Sequence, residues 1–184
     1  MPPSPEPTYS RGLVWFRRDL RAHDQAALYH ALTRCEQVFC AFVFDKDILD
    51  ALPRADRRVE FIRESLVELD DTLRALSGQE RGGLIVWHAV ASEAIPALAS
   101  ALDVQAVFAN HDDEPQALDR DGLVRTRLAA AGKAFHTFKD HALLERSEVL
   151  TQTGKPYSVF TPYKNAWLKK IDVFQLKSYP VERH

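Results

Sequence analysis

Apolar and polar residues follow two rhythms along this chain. Five short runs are rich in strand formers: residues 12–16 (GLVWF), 38–44 (VFCAFVF), 84–89 (LIVWHA), 106–110 (AVFAN) and 134–138 (AFHTF). The second is apolar on both faces, the pattern of a parallel strand covered on both sides. Between the runs the apolar period lengthens to that of a helix. Over residues 56–76, Val59, Ile62, Leu66, Leu69, Leu73 and Leu76 recur at steps of three and four, with Arg57, Arg63, Glu68, Asp71 and Arg74 left for the wet side. Ser77-Gly78 ends that helix. Another helix starts with Asp24 as N-cap. A third follows Ser92, with its first regular turn near Ile95 because proline (here Pro96) fits best at a first helical position. A fourth starts at Pro115 and runs to about Ala131, with Gly132 as its stop.

Five strands alternating with helices predict an α/β fold: a Rossmann-like, doubly wound, five-stranded parallel sheet with helices on both faces. Ligands in such sheets sit outside the carboxyl ends of the strands, where strand order reverses. That directs attention to the segments after Phe16, Phe44 and Asn110. Residues 11–140 make up this domain. Residues 1–10, with four prolines, read as a disordered leader. After residue 140 the strand–helix rhythm stops. Residues 141–184 read as an extended connector, with a turn at 152–155 and a helical turn or two over 165–171.

Charge changes the picture more than composition does. The net charge of −2 is split: residues 151–184 carry six Lys/Arg against two Asp/Glu, and residues 1–150 carry 18 against 24. Duplex DNA binding rests largely on neutralising phosphates, so the acidic bulk is a poor DNA surface. No apolar run approaches the roughly 20 residues of a membrane helix, and the leader lacks a secretion signal's apolar core. Cys35 and Cys40 read as buried free thiols in a reducing compartment, which with the missing signal predicts the cytoplasm. Seven scattered histidines show no zinc-ligand spacing.

The familiar nucleotide-binding signatures are absent. The loop after the first strand is RRDLRAHD, without the glycines that let a backbone cradle pyrophosphate, and there is neither a phosphate-binding P-loop nor a nucleophile elbow. Arg17, Arg18, Asp19 and Arg21 crowd the sheet's carboxyl edge instead. They can pair with local acids such as Asp24 as a surface loop, or they can receive an anionic or planar ligand. Asp113 and Glu114 precede a helix and fit dipole matching there. Asp45 and Asp112, nearer the strand tips, are the better ligand candidates.

Residues 13–21 (LVWFRRDLR) closely resemble the opening of DNA photolyases and cryptochromes. Residues 110–115 match that family's N-x-D-x-E-P pattern. Residues 153–157 (TGKPY) and 160–167 (FTPYKNAW) resemble the segment leading out of its α/β domain. The motifs stand in family order and are most similar to bacterial cyclobutane-dimer photolyases.

The resemblance implies the antenna domain of a light-driven DNA repair enzyme, a deoxyribodipyrimidine photo-lyase. Its catalytic FAD, dimer pocket and damaged-DNA partner would belong to a larger helical domain that this sequence does not contain, so the chain alone is not expected to repair DNA. Two alternatives are a cryptochrome-type signalling flavoprotein and a stand-alone pigment-binding module. Folate-type relatives grip their pigment with an Asn-Glu pair. The matching positions here are Gln116 and Ala117, which disfavours methenyltetrahydrofolate and favours a deazaflavin or flavin, or an empty antenna site. The resemblance places such a pigment against Arg17, Asp45, Ile48, Leu49, Asp112 and Glu114. Tyr157, Phe160, Tyr163, Trp167 and Phe174 could form a sticky face for self-association, or fold back as core.

Overall fold

A computed structural model describes residues 7–79 and 82–184. Five parallel strands form one sheet: β1 (Tyr9–Phe16), β2 (Cys35–Asp45), β3 (Leu84–Ala89), β4 (Ala106–Asn110) and β5 (Ala134–Phe138). Their order across the sheet is β3-β2-β1-β4-β5. Among the described residues six α-helices accompany them: α1 (Ala26–Arg34), α2 (Lys46–Leu49), α3 (Arg57–Ser77), α4 (Ala91–Ala101), α5 (Pro115–Ala130) and α6 (Phe160–Lys170).

The sheet separates two cores because neighbouring strand residues point to opposite faces. On β1, Val14 and Phe16 join Leu28 of α1 and Leu66, Leu69 and Leu73 of α3. Leu13 and Trp15 join Ile95 and Leu98 of α4 and Val124 and Leu128 of α5. The expected α3 stripe therefore meets the sheet through its middle, while Leu76 at its end stays exposed. Strand order reverses between β1 and β4. The chain leaves β1 toward β2 and leaves β4 toward β5, so the loops after them diverge and open a crevice.

Several boundaries differ from the sequence reading for identifiable reasons. Of the expected leader, residues 1–6 lie outside the described residues, but Tyr9 and Ser10 already belong to β1, and the Tyr9 hydroxyl lies 2.9 Å from His136 Nε2. β2 begins at Cys35 directly after α1, earlier than the apolar run suggests, because Glu36 and Gln37 are exposed near the strand's start. The N-cap of α1 is Gln25, not Asp24. Asp24 adopts a left-handed φ of 46°, and its carboxylate accepts from Tyr179 N at 2.8 Å.

Pro96 lies inside α4 rather than at its start. A proline there removes the amide that would bond the Ser92 carbonyl. That carbonyl is satisfied from outside: Arg127 Nη1 of α5 donates to it at 2.6 Å. The connector also holds more structure than an extended tail. Its helix begins at Phe160, five residues before the expected turn, and the last residues return to the body, where Val181 is buried and Tyr179 packs tilted, and His184 edge-on, against Tyr29.

Candidate functional site at the strand tips

The loop after β1 is locked by a buried polar network. Asp19 Oδ2 accepts from Gln25 Nε2 at 2.6 Å and Asn110 Nδ2 at 2.5 Å, and Asp19 Oδ1 accepts from Arg17 N at 3.2 Å. The same residues finish the start of α1, whose first amides have no partner within the helix. Ala26 N donates to Asp140, Ala27 N to Asn110 and Leu28 N to Gln25. His141 Nε2 stands 3.9 Å from Asp19 Oδ1, and the pull of that carboxylate raises the His141 pKa against the opposing effect of burial. Burial works to raise the Asp19 pKa, but His141 and the amides outweigh it and hold it low. Asp19, Asp140 and His141 offer three potential ligand atoms within 4.8 Å of one another. Both carboxylates are already occupied by N–H donors, Asp140 also by Arg21 at 2.9 Å.

The arginines of RRDLR thus pair with acids, although not with the Asp24 carboxylate. Arg17 is buried. Its Nη1 holds both oxygens of Asp121 at 2.6 and 2.8 Å, its Nη2 donates to the Asn110 carbonyl, and its Nε has no hydrogen-bond partner among the described residues. Arg18 bridges to Glu114 at 2.6 Å and reaches Asp112 at 3.4 Å.

All six residues singled out from the sequence line one cavity of about 370 Å³ between the tips of β1, β2 and β4 and the start of α3. That is within the usual range for small-molecule sites. Ile48 and Leu49 of α2, with Phe42, Phe44, Val59 and Ile62, supply an apolar wall. Arg17, Asp45 and Asp112 stand at the polar end, and Glu114 sits at an exposed edge. A wider crevice of about 880 Å³ lies beyond the Arg18–Glu114 pair, lined mainly by charged groups including Asp19, Asp140 and Glu145.

The acids at the two helix starts divide their roles, with Asp45 at the N-cap of α2 and Glu114 at the N-cap of α5. Asp113 pairs with Arg146 at 2.6 Å, and Glu114 makes no side-chain cap on α5. Asp45 does cap: it accepts from Asp47 N at 3.3 Å and from Ala91 N at 3.1 Å, finishing α2 and the start of α4. Asp112 accepts from Glu114 N at 3.3 Å.

Sequence reasoning missed Trp15, Arg120 and Asp121. Arg120 and Arg17 both lie over the Trp15 ring, 5.0 and 4.8 Å from its centroid. The signal was available. On α5, Ala117, Val124 and Leu128 form the buried stripe. Asp121 falls on that stripe one turn after Ala117, with Arg120 beside it. Charges at positions that periodicity assigns to the core are the informative departure.

Residues 12–181 match the model of the DNA photolyase family. The chain belongs to that family. It is 34% identical over 155 residues to a deoxyribodipyrimidine photo-lyase of Synechococcus, covering 84% of this chain and 31% of the relative. A class III photolyase from Agrobacterium tumefaciens superposes with a TM-score of 0.77 at 27% identity, covering 89% of this chain and 32% of that one. An archaeal photolyase from Sulfolobus tokodaii superposes with a TM-score of 0.71 at 27% identity, over 89% of this chain and 35% of that one. It was solved with two FAD molecules, described as implying a novel light-harvesting cofactor. The chain spans about a third of the length of these photolyases. The expected doubly wound sheet is the fold of the photolyase N-terminal domain.

Proposed function

We propose that this photolyase-family domain collects light for a DNA-repairing protein, and that the cavity at the strand tips holds a flavin or deazaflavin ring as antenna. One observation carries the reading: a cavity of suitable size, apolar on one side and charged on the other, gathers Arg17, Asp45, Ile48, Leu49, Asp112 and Glu114. The orphaned Nε of buried Arg17 beside it fits a site built around a ligand rather than a sealed core. The second flavin named for the Sulfolobus tokodaii relative supports a flavin-type pigment in this family. Ala117 packs into the core of α5, which leaves no acid there for a folate grip.

When bound, such a pigment absorbs light and passes the excitation on. The chain's residues enclose the ring and orient its polar edge. Repair of damaged DNA, and the FAD that drives it, belong in this reading to a helical domain of the whole protein. Two unpaired buried thiols suit a cytoplasmic setting, and among the described residues no helix is long and apolar enough to cross a membrane.

Titration of the purified chain with riboflavin, followed by flavin fluorescence, tests the cavity. The expected result is saturable quenching that is weakened by Asp112→Ala and abolished by Ile48→Asp at the mouth. Melting curves serve as the control for folding, since Asp112 also accepts from Glu114 N and faces Arg18. Binding that does not saturate, or that both variants leave unchanged, overturns the assignment.

A further inference from the structure

The two edges of the sheet are finished differently. At β5 the edge is guarded. Arg125 Nη1 donates to the Phe135 carbonyl at 3.2 Å, its guanidinium lies 5.0 Å from the Phe135 ring centroid, and Lys133 and Lys139 flank the strand in sequence. Charged side chains on an edge strand hinder pairing with another chain. β3 has no such guard. Its sequence LIVWHA contains no lysine, arginine, acid or proline, and its register with β2 runs from Leu84 to Ala89 without a bulge. Leu84 N donates to Asp70 at 2.6 Å, and no other backbone group of β3 meets a side chain among the described residues. Val86 and Trp87, on opposite faces of the strand, are 45% and 38% exposed.

The helix beside this edge adds an independent observation. The bond from Leu84 N to Asp70 sets the Asp70 side of α3 against the start of β3. Val67 stands on that side one turn earlier and is 52% exposed. Arg63 lies one turn before Val67 and Asp71 one turn after it, so the three share a stripe. Both charges are exposed, and neither makes an ion pair among the described residues. Their signs are opposite about Val67. A two-fold axis passing Val67 therefore sets Arg63 of each copy against Asp71 of the other: the stripe is complementary to itself.

We propose that a second copy of this chain pairs with the open edge of β3. The contact is isologous, so the two β3 strands run antiparallel and join two five-stranded sheets into one layer. Paired strands lie about 4.8 Å apart, which brings α3 alongside its own copy in antiparallel sense. Val67 and Val86 close the seam on the α3 face, and Trp87 closes it on the other, where Ile85 and Ala89 already join the core under α4. Backbone hydrogen bonds supply the attachment. The two Arg63–Asp71 pairs select the antiparallel arrangement over others.

Sedimentation velocity over a concentration series tests the proposal. The background carries Phe160→Ser and Phe174→Ser, so that exposed apolar groups near α6 do not obscure the readout. A dimer should form in that background. Val86→Lys, which puts a charge on the open edge, should weaken it about tenfold or more. Arg63→Asp and Asp71→Arg should each weaken it by a similar factor, since each sets like charges face to face at two symmetric places. An equimolar mixture of those two variants should recover dimer, because an all-acidic stripe then meets an all-basic one. Recovery on mixing excludes misfolding as the cause of either loss. A chain that stays monomeric at about 1 mM overturns the proposal and leaves the edge to a strand from a different protein. Dimers that Val86→Lys and both charge variants leave unchanged overturn it by placing the contact elsewhere. Loss of dimer without recovery on mixing overturns the two-fold arrangement.

Discussion

At the scale of single residues, the histidines give this domain two opposed responses to pH. His30 stacks on Phe138 at 4.2 Å between ring centroids, and burial, then Arg34 and His136, push its pKa from 6.5 down to about 4. The fold thus holds His30 neutral. Its contribution to stability is present above the unfolded value near 6.5 and is lost as pH falls toward about 4. His136 shifts the same way. His141 has the opposite sign. Its folded pKa is raised beside Asp19, so its contribution is present below about 6.5 and fades as pH rises through the folded value. Thermal melts from pH 7.5 to pH 4.5 check both. His30→Phe, which keeps the stack, should flatten the acid side of the profile, whereas His141→Gln should steepen it, lowering stability most at pH 6 and below. Asn110 gives a larger and less pH-dependent effect. Its side chain joins Asp19 to the Ala27 amide. Asn110→Ala strands a buried amide and removes one donor from a buried carboxylate, for an expected loss of about 2–5 kcal/mol in urea unfolding. A loss below roughly 1 kcal/mol would mean that water substitutes for the network.

At the scale of elements, the closeness of β1 and β2 depends on Gly12. A Cβ there would lie 2.5 Å from Cys35 Sγ and 3.1 Å from the Phe108 ring. Gly12→Ala should therefore cost about 1–3 kcal/mol by overpacking. Adding Cys35→Ala should recover part of that loss, because removing the sulfur relieves the shorter contact. A double variant no more stable than Gly12→Ala alone would place the strain elsewhere. The strands and long helices were legible because both sheet faces are covered and each element must show its period to a core. The misread boundaries have a common physical cause: distant side chains took over local duties. Pro96 sits inside α4 because Arg127 satisfies the carbonyl it frees. Asp24 yields the N-cap because Gln25, Asn110 and Asp140 already serve the first amides of α1. A cap supplied from another strand leaves no trace in the local sequence. Asp45 shows the same limit from the other side, since its aspartate reads as a ligand while it closes the ends of two helices. Asp121 and Arg120 are different, because they were visible as charges on an apolar stripe.

At the scale of the whole molecule, the acidic body and the basic connector present unlike surfaces. Around α6 and the tail, Val159, Phe160, Leu168, Val173, Phe174 and Leu176 are all more than half exposed. Tyr157, Tyr163 and Trp167 are partly covered, with Tyr157 and Tyr163 in an edge contact at 6.2 Å. Of the two fates weighed for these aromatics, the fold supplies no full burial for any of them. Apolar side chains interleaved with Lys164, Lys169, Lys170 and Lys177 suit burial against another protein surface better than contact with water. The isolated chain should therefore self-associate through this face as its concentration rises, with hydrophobic contact dominating over charge. Sedimentation velocity separates the two contributions. Higher salt screens the lysines and leaves the apolar drive intact, so association should persist or strengthen in salt and weaken in a Phe160→Ser, Phe174→Ser double variant. Association that salt abolishes and the double variant leaves unchanged would assign the contact to the acidic body meeting the basic connector of a second copy. The same charge split argues against tight duplex binding by this chain alone. Five lysines and one arginine over residues 151–184 face a body with six excess acids. Any retardation of duplex DNA should therefore vanish within physiological salt, where phosphate-driven binding falls steeply.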